Sequence, residues 1–412
     1  MNVFIPLFLL SFIADAAVLR WDDVKRMALE QNPTLRSSEK TYLASKKSVN
    51  QSYGSFLPSL SLSARKSTSE ALSAAVETES RSEILTGTAN LNLFSGFSSL
   101  ANVKKNIASR GESEANLEIA SIDLRNSLKR VFSTAYIQQE RIKLFARTLK
   151  RQEQNEKLVS LKYNSGAEAR WNLLKAKADK ERAQFNLSMA GRELENSQAE
   201  LGRLLNLPVP PKQVVEISLK EIEKEMPLPA SLESHPVWRK ALFTEDKVSQ
   251  DSLAARAAFY PSLDLSYSKS KEKSRPGTER EVDSISLSAS WNIFNGLSDF
   301  YNVQRANLNI ESVVLQNAEV KSSLETTARV SRVKAINSVS RLPSARALRG
   351  AAEERLKTVS TQYRAGLKSY LDWEQAENQL LESETAEINA LGEALLALAD
   401  LEKAFGIPLG AP

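Results

Sequence analysis

Five landmarks occur twice in this chain, in the same order, about 200 residues apart. Asn32-Pro33-Thr34-Leu35 returns as His235-Pro236-Val237-Trp238, and Phe56-Leu57-Pro58-Ser59-Leu60 as Phe259-Tyr260-Pro261-Ser262-Leu263, both at an offset of 203. Leu91-Asn92-Leu93-Phe94-Ser95-Gly96 returns as Trp291-Asn292-Ile293-Phe294-Asn295-Gly296, Tyr163-Asn164-Ser165-Gly166 as Tyr363-Arg364-Ala365-Gly366, and Leu207-Pro208 as Ile407-Pro408, all at an offset of 200. A steady offset over ordered landmarks means a duplicated unit. The 412 residues therefore build one plan twice, rather than one core too large to be stable.

In each unit a helix of about 25–30 residues ends before a proline, Pro58 or Pro261. Two strands joined by a polar loop follow. A glycine, Gly96 or Gly296, turns the chain into a very long helix. The chain reverses at Tyr-x-x-Gly, and a second long helix closes the unit. The predicted repeats are 17–208 and 209–412, with strand pairs at 57–94 and 260–294, helical tips near 163–167 and 363–367, and a Pro-rich link over 207–234.

The strands alternate. Leu60, Leu62 and Ala64 oppose Ser59, Ser61 and Ser63; Leu85, Ala89, Leu91 and Leu93 oppose Thr86, Thr88, Asn90 and Asn92. Leu263, Leu265 and Tyr267 oppose Ser262, Asp264, Ser266 and Ser268; Ile285, Leu287, Ala289, Trp291 and Ile293 oppose Ser286, Ser288, Ser290 and Asn292. Runs of about 8–11 residues with an uncharged apolar face suit tilted membrane strands, and the aromatics at their ends suit an interfacial girdle. A soluble sandwich with a second covering sheet would read the same way. The stretches Lys66–Ser82 and Lys269–Asp283 are predicted to be long polar loops.

From Ser98 to Lys162 there is no proline and one glycine, so a helix of some 65 residues would be a rod of about 100 Å. Leu117, Leu124, Leu128, Val131, Ala135, Ile142, Phe145 and Leu149 form one coiled-coil seam, and Leu381, Ile388, Leu391, Leu395, Leu398 and Phe405 another. The matching helix from Ser298 to Gln362 contains Pro343, which predicts a kink.

Composition excludes several function classes. There is no cysteine and a single histidine, His235, so disulfides, Cys- or His-based metal sites and thiol nucleophiles are excluded; no metal site or cofactor is expected. His235 precedes a proline at a helix start and reads as a flanking residue. A net charge of +5 on 55 basic and 50 acidic residues reads as solvated helix faces rather than a nucleic-acid surface. No phosphate-binding glycine loop, G-x-S-x-G, HExxH or CxxC occurs, so an enzyme is not expected. Val3–Ile13 is too short to span a bilayer, and with Ala14-Asp15-Ala16 behind it the stretch 1–16 reads as a signal peptide; a buried N-terminal element is the alternative. No later segment has 18 consecutive apolar residues. The mature chain is then either soluble beyond the inner membrane or crosses a membrane as β-structure. Four strands in a bilayer leave two open edges, so a membrane reading demands an oligomer, with a trimer preferred for its wider interior.

With these landmarks in order, the chain resembles the TolC-type outer-membrane efflux family over essentially its whole mature length. The resemblance implies a membrane α+β fold: a trimer with a 12-stranded outer-membrane β-barrel and a periplasmic α-helical barrel, in the outer membrane of a Gram-negative bacterium. The missing cysteine resembles the non-lipidated branch. The resemblance also implies partners: a periplasmic adaptor, an inner-membrane pump of RND, ABC or MFS type, and outer-membrane lipid. The machine would export small molecules or, in type I secretion, proteins. The competing reading is a non-pore periplasmic coiled-coil scaffold or adaptor.

Site residues follow from the same resemblance, position by position. The tips Tyr163, Ser165, Gly166 and Ala167, and Ala365, Gly366 and Leu367, match the adaptor-docking turns. Asp372 falls on the acidic ring of the pore constriction, and Gln375 replaces the second acid. Tyr363 and Lys368 match the groups that tether the gate, while Asn172 stands where the family has an Asp, which weakens the tether to a hydrogen bond. Read without the resemblance, the glycines end helices in left-handed geometry, the tyrosines pack under the turns, Lys368 is a surface lysine and Asp372 a solvated helix carboxylate.

Overall fold

The computed structural model describes residues 19–73, 76–208, 210–211, 232–275 and 277–410. The expected signal peptide lies outside them, as does most of the 207–234 link. Among the described residues the helices are α1 (Trp21–Gln31), α2 (Pro33–Ser52), α3 (Ser98–Asn164), α4 (Arg170–Leu204), α5 (Pro236–Arg256), α6 (Ser298–Arg364) and α7 (Tyr370–Ala404). The strands are β1 (Ser59–Ser73), β2 (Val76–Ser95), β3 (Ser262–Arg275) and β4 (Thr278–Ser290), joined in one antiparallel sheet of order β1-β2-β3-β4.

The duplication is visible residue by residue. Asn32 accepts from the Leu35 amide at 2.9 Å, and His235 Nδ1 accepts from the Val237 amide at 3.2 Å, so each opens a helix whose first residue is proline. His235 is thus a helix cap. At the strand-to-helix corners Gly96 and Phe97 have φ of 64° and 74°, and Gly296 and Leu297 have 58° and 66°. At the first corner only glycine fits: a Cβ on Gly96 would lie 2.5 Å from the Ala257 carbonyl oxygen. Asn206 and Gly406 close α4 and α7 with φ of 54° and 70°.

The chain divides into two compact units that do not follow the repeat boundary. One comprises Met1–Arg36, Ile119–Ser231 and Leu324–Pro412, the other Ser37–Glu118 and Leu232–Ser323. The chain passes between them four times, at 36/37 inside α2, at 118/119 inside α3, at 231/232 and at 323/324 inside α6, so each repeat contributes to both units.

The second unit contains the sheet. Its apolar face is uncovered: Leu60, Leu62, Ile285 and Leu287 are 81, 75, 76 and 68% exposed. A soluble sandwich needs a second sheet there, and the described residues form one sheet. No described helix is long and apolar enough to cross a membrane.

The expected polar loops are instead strand. β1 and β2 stay paired out to Ser73 and Val76, and β3 and β4 out to Ser274 and Thr278. Oppositely charged residues face each other across the hairpins, with Lys66 2.5 Å from Glu83 and Lys271 3.3 Å from Glu281. Such pairs stabilise a sheet much as apolar ones do, but a hydrophobic pattern does not register them. Conversely, β4 stops at Ser290, although the alternation continues to Ile293. Ser290 pairs with Ser262, the first residue of β3, so among the described residues β3 offers no partner for Trp291 onward.

The first unit packs α1 with α4, α7 and the matching parts of α3 and α6 around apolar clusters. α6 is helical on both sides of Pro343. The α3 seam holds through Leu124, Leu128 and Ala135, which are buried. Beyond Ile137 it rotates: Leu144, Thr148, Gln152, Asn155 and Val159 are buried, and Ile142, Phe145 and Leu149 are half-exposed. The reason is that α3 packs in one cluster against α4, α6 and α7, with Val159 meeting Ala176, Leu356 and Ala376; a two-helix seam assumes one neighbour. The same holds for α7, where Ala390, Ala394 and Ala397 are more deeply buried than Leu391 and Leu398.

Asn32 also donates from Nδ2 to the Leu204 carbonyl at 2.8 Å, tying the start of α2 to the end of α4 inside this unit. Asn32→Ala removes the cap and strands a buried carbonyl. It is expected to cost about 2 kcal/mol, read as a lower thermal midpoint. An unchanged midpoint would contradict this role.

The helix-tip site

Both tips are built alike. α3 ends in two crossed backbone bonds, Gly166 amide to Tyr163 carbonyl at 3.0 Å and Ala167 amide to Lys162 carbonyl at 2.8 Å. α6 ends with Gly366 to Tyr363 at 3.1 Å and Leu367 to Gln362 at 2.9 Å. This is the Schellman closure, which needs a left-handed residue, and Gly166 and Gly366 supply it at φ of 76° and 79°. Ser165 Oγ donates to the Lys162 carbonyl at 2.9 Å, and the Ala365 amide to the Thr361 carbonyl at 3.1 Å. Leu367 stands out into solvent, as do Leu371 and Trp171.

The two tyrosines differ. Tyr163 is exposed, whereas Tyr363 is 2% exposed, beneath Tyr370 and Trp373. The Tyr363 ring lies 6.1 Å from that of Tyr370 and 6.2 Å from that of Trp373. Lys162 reaches over from α3, its ammonium 3.9 Å from the Tyr363 ring centre and donating to the Tyr363 carbonyl at 2.7 Å.

The tether differs from the one expected. Tyr363 does not meet Asn172 directly; Glu168 stands between them. The Tyr363 hydroxyl donates to Glu168 Oε2 at 2.8 Å, and Asn172 Nδ2 donates to Glu168 Oε1 at 2.5 Å. Burial first, and the Glu168 carboxylate second, raise the Tyr363 pKa well above the usual phenol value, so it stays protonated and donates. Lys368 is not part of this link: its ammonium lies 4.0 Å from Asp372 Oδ1. Glu168 lies four residues before Asn172 and just before α4, where a negative charge also favours the helix N-terminus.

Asp372 has a local task. Its backbone amide donates to Ser369 Oγ at 3.2 Å, while its carboxylate accepts from the Ser369 amide at 3.1 Å and hydroxyl at 2.7 Å. This reciprocal capping box opens α7. Gln375 is exposed one turn on.

Below the tip, ion pairs join the helices. Lys175 on α4 lies 2.8 Å from Asp179 and 2.6 Å from Glu374 on α7. Arg151 on α3 lies 2.7 Å from Glu377 and 3.0 Å from Glu384, both on α7. Burial pushes the Glu377 carboxyl up, and Arg151 opposes that. Among the described residues, no group of three or more His, Cys, Asp or Glu side chains is placed to hold a metal ion.

Comparison with known proteins agrees with this architecture. The family model described as outer membrane efflux protein matches residues 24–207 and again 228–407, once on each repeat. The chain belongs to that family: it is an outer-membrane efflux channel protein with a large periplasmic helical part. The family is one of export channels rather than enzymes, and its channels work with adaptors and inner-membrane pumps. A search of curated proteins found no match. Among solved structures, CusC superposes with a TM-score of 0.85 at 16% identity, over 95% of this chain and 92% of that one. The CmeC outer membrane channel of Campylobacter jejuni gives 0.82 at 17%, over 94% and 85%. The open MtrE outer membrane channel of Neisseria gonorrhoeae gives 0.79 at 23%, over 94% and 89%. At such identities the likeness is one of fold.

The Ser369 hydroxyl and amide, with Lys368 adding to them, hold the Asp372 carboxyl below its ordinary range. A lowered acid contributes stability above its unfolded pKa of about 3.9 and loses it only as pH falls through the lowered value. Amide-exchange protection at the start of α7 is therefore expected to persist from neutral pH down to about 4 and to fail below it. Failure near pH 6 would contradict the capping role.

Proposed function

We propose that three copies of this chain close a 12-stranded barrel in the outer membrane and continue as a helical barrel in the periplasm. The helix tips would dock a periplasmic adaptor fed by an inner-membrane pump. The observation that carries this reading is one four-stranded sheet with an uncovered apolar face and, among the described residues, no partner for its outer strands. In hydrocarbon each unpaired backbone group costs several kcal/mol, so the sheet must be completed by other copies. Two copies make eight strands, whose interior side chains fill; three make twelve and leave room for water. The hydroxyl- and amide-rich opposite face suits that wet interior. Residues 1–16 serve as the export signal.

The tip is the gate. The link from Tyr363 through Glu168 to Asn172, reinforced by Lys162, holds the second helical hairpin against the first. Three copies of Asp372 would surround the axis as a ring of negative charge, with Gln375 beside it in place of a second acid. Turns at Gly166 and Gly366, edged by the exposed Trp171, Leu367 and Leu371, present an apolar surface to adaptor helices. The cargo is a small molecule or a secreted protein.

Planar-bilayer recording tests the gate. Tyr363→Phe removes a hydrogen bond to a carboxylate worth about 1.5–3 kcal/mol, so the open fraction is expected to rise by roughly tenfold or more. Asp372→Ala is expected to weaken block by divalent cations. Wild-type protein that passes no current would overturn the channel reading. Unchanged open probability in Tyr363→Phe would overturn the tether, and unchanged block in Asp372→Ala the ring.

A further inference from the structure

The two hairpins are superposable in register, not merely similar. Ser59 faces Asn90 and Lys66 faces Glu83; adding 203 to the first member and 200 to the second gives Ser262 facing Ser290 and Lys269 facing Asp283, the pairs observed. The junction between repeats, β2 on β3, has its own register: Asn90 faces Ser266, Leu91 faces Leu265, Asn92 faces Asp264, and after a bulge Phe94 faces Leu263. In the chain this junction occurs once. β4 and β1 are the duplicates of its two strands, and each lies at an outer edge of the sheet.

We infer that β4 of one copy pairs with β1 of the next in the duplicated junction register, with Ser290 opposite Ser63, Trp291 opposite Leu62 and Asn292 opposite Ser61. After a bulge at Ile293, Phe294 faces Leu60. This rests on the oligomeric barrel proposed above and adds the alignment of its seams. It accounts for a feature the single chain leaves unexplained: residues 291–293 keep strand alternation beyond the end of β4, and Trp291, Ile293 and Phe294 are 59, 80 and 74% exposed. Their counterparts in β2, Leu91 to Phe94, run alongside β3. The neighbour's β1 supplies the missing partner, and Trp291 on Leu62 repeats the apolar pairing of Leu91 on Leu265. It also completes the corner. Phe97 packs edge-on against Phe94 and Tyr260, with ring centres 5.1 and 5.4 Å away. The duplicate of that corner brings Leu297 of one copy to Phe294 and to the neighbour's duplicate of Tyr260, which is Leu57. Both leucines are exposed in the single chain.

The chain has no cysteine, so introduced thiols report without background. Facing residues of an antiparallel pair have Cα atoms about 4.5–5.5 Å apart, within the range a disulfide spans. Within one chain the row through Ser63 runs over Thr86 and Ser270 to Val282, eight residues along β4 from Ser290; three strand spacings across and eight residues along put the two about 30 Å apart, and they cannot be bridged. The double variant Ser63→Cys, Ser290→Cys, oxidised in outer membranes, is expected to run largely as a covalent trimer on a denaturing gel. The slipped pair Ser67→Cys, Ser290→Cys and each single variant are expected to stay monomeric. Strong linking of the slipped pair, or linking of neither pair while native mass measurement still gives a trimer, would overturn the register and leave the trimer standing. A monomer in both measurements would overturn the register together with the barrel.

Discussion

The pairing of β2 with β3 is the interaction on which the rest of this structure depends. It joins two repeats through backbone hydrogen bonds rather than through a core, and it makes one sheet from two hairpins. A two-stranded hairpin is barely stable alone; four strands with alternating faces offer one apolar and one polar surface. Both corners pass through two left-handed residues, at Gly96 and Phe97 and at Gly296 and Leu297. Both continue into helices of 67 residues.

Far along the chain from the sheet, the stabilising chemistry changes. The helix tips are held by polar contacts around one buried phenol. Tyr363 is enclosed by Tyr370 and Trp373, covered by the Lys162 ammonium and anchored on Glu168. These directional bonds sit on top of the apolar cluster of Val159, Ala176, Leu356 and Ala376 that lies among the same helices. The ion pairs of Arg151 with Glu377 and Glu384, and of Lys175 with Glu374, extend the same polar character down α7.

Much of the fold was legible in the sequence because it is local and written twice. Long helices poor in glycine and proline, strand alternation, and the paired Asn32-Pro33 and His235-Pro236 openings follow from periodicity and capping. The site was legible in part. Gly166, Gly366 and Tyr363 stand out by their repeat. Glu168 and Lys162 do not, because each acts on a residue from the other repeat, nearly 200 positions away. The tether was sought at Asn172, where the family has an acid, and the structure places the acid two residues after Gly166. A carboxylate beside a helix N-terminus and a lysine in the last turn of α3 were the available signals, and both are too common to select a residue.

By itself the sequence determined the two-fold plan, the long helices and the alternating apolar part of each strand, since these depend on residue periodicity and spacing. Only the tertiary structure decided that the charged stretches are strand, because cross-strand pairs such as Lys66 with Glu83 exist only once the hairpin has formed. It also decided where β4 stops, which face of α3 is buried beyond Ile137, and which carboxylate holds Tyr363. Each of these is settled by a neighbour distant in sequence, and a pattern read along one chain contains no information about who that neighbour is.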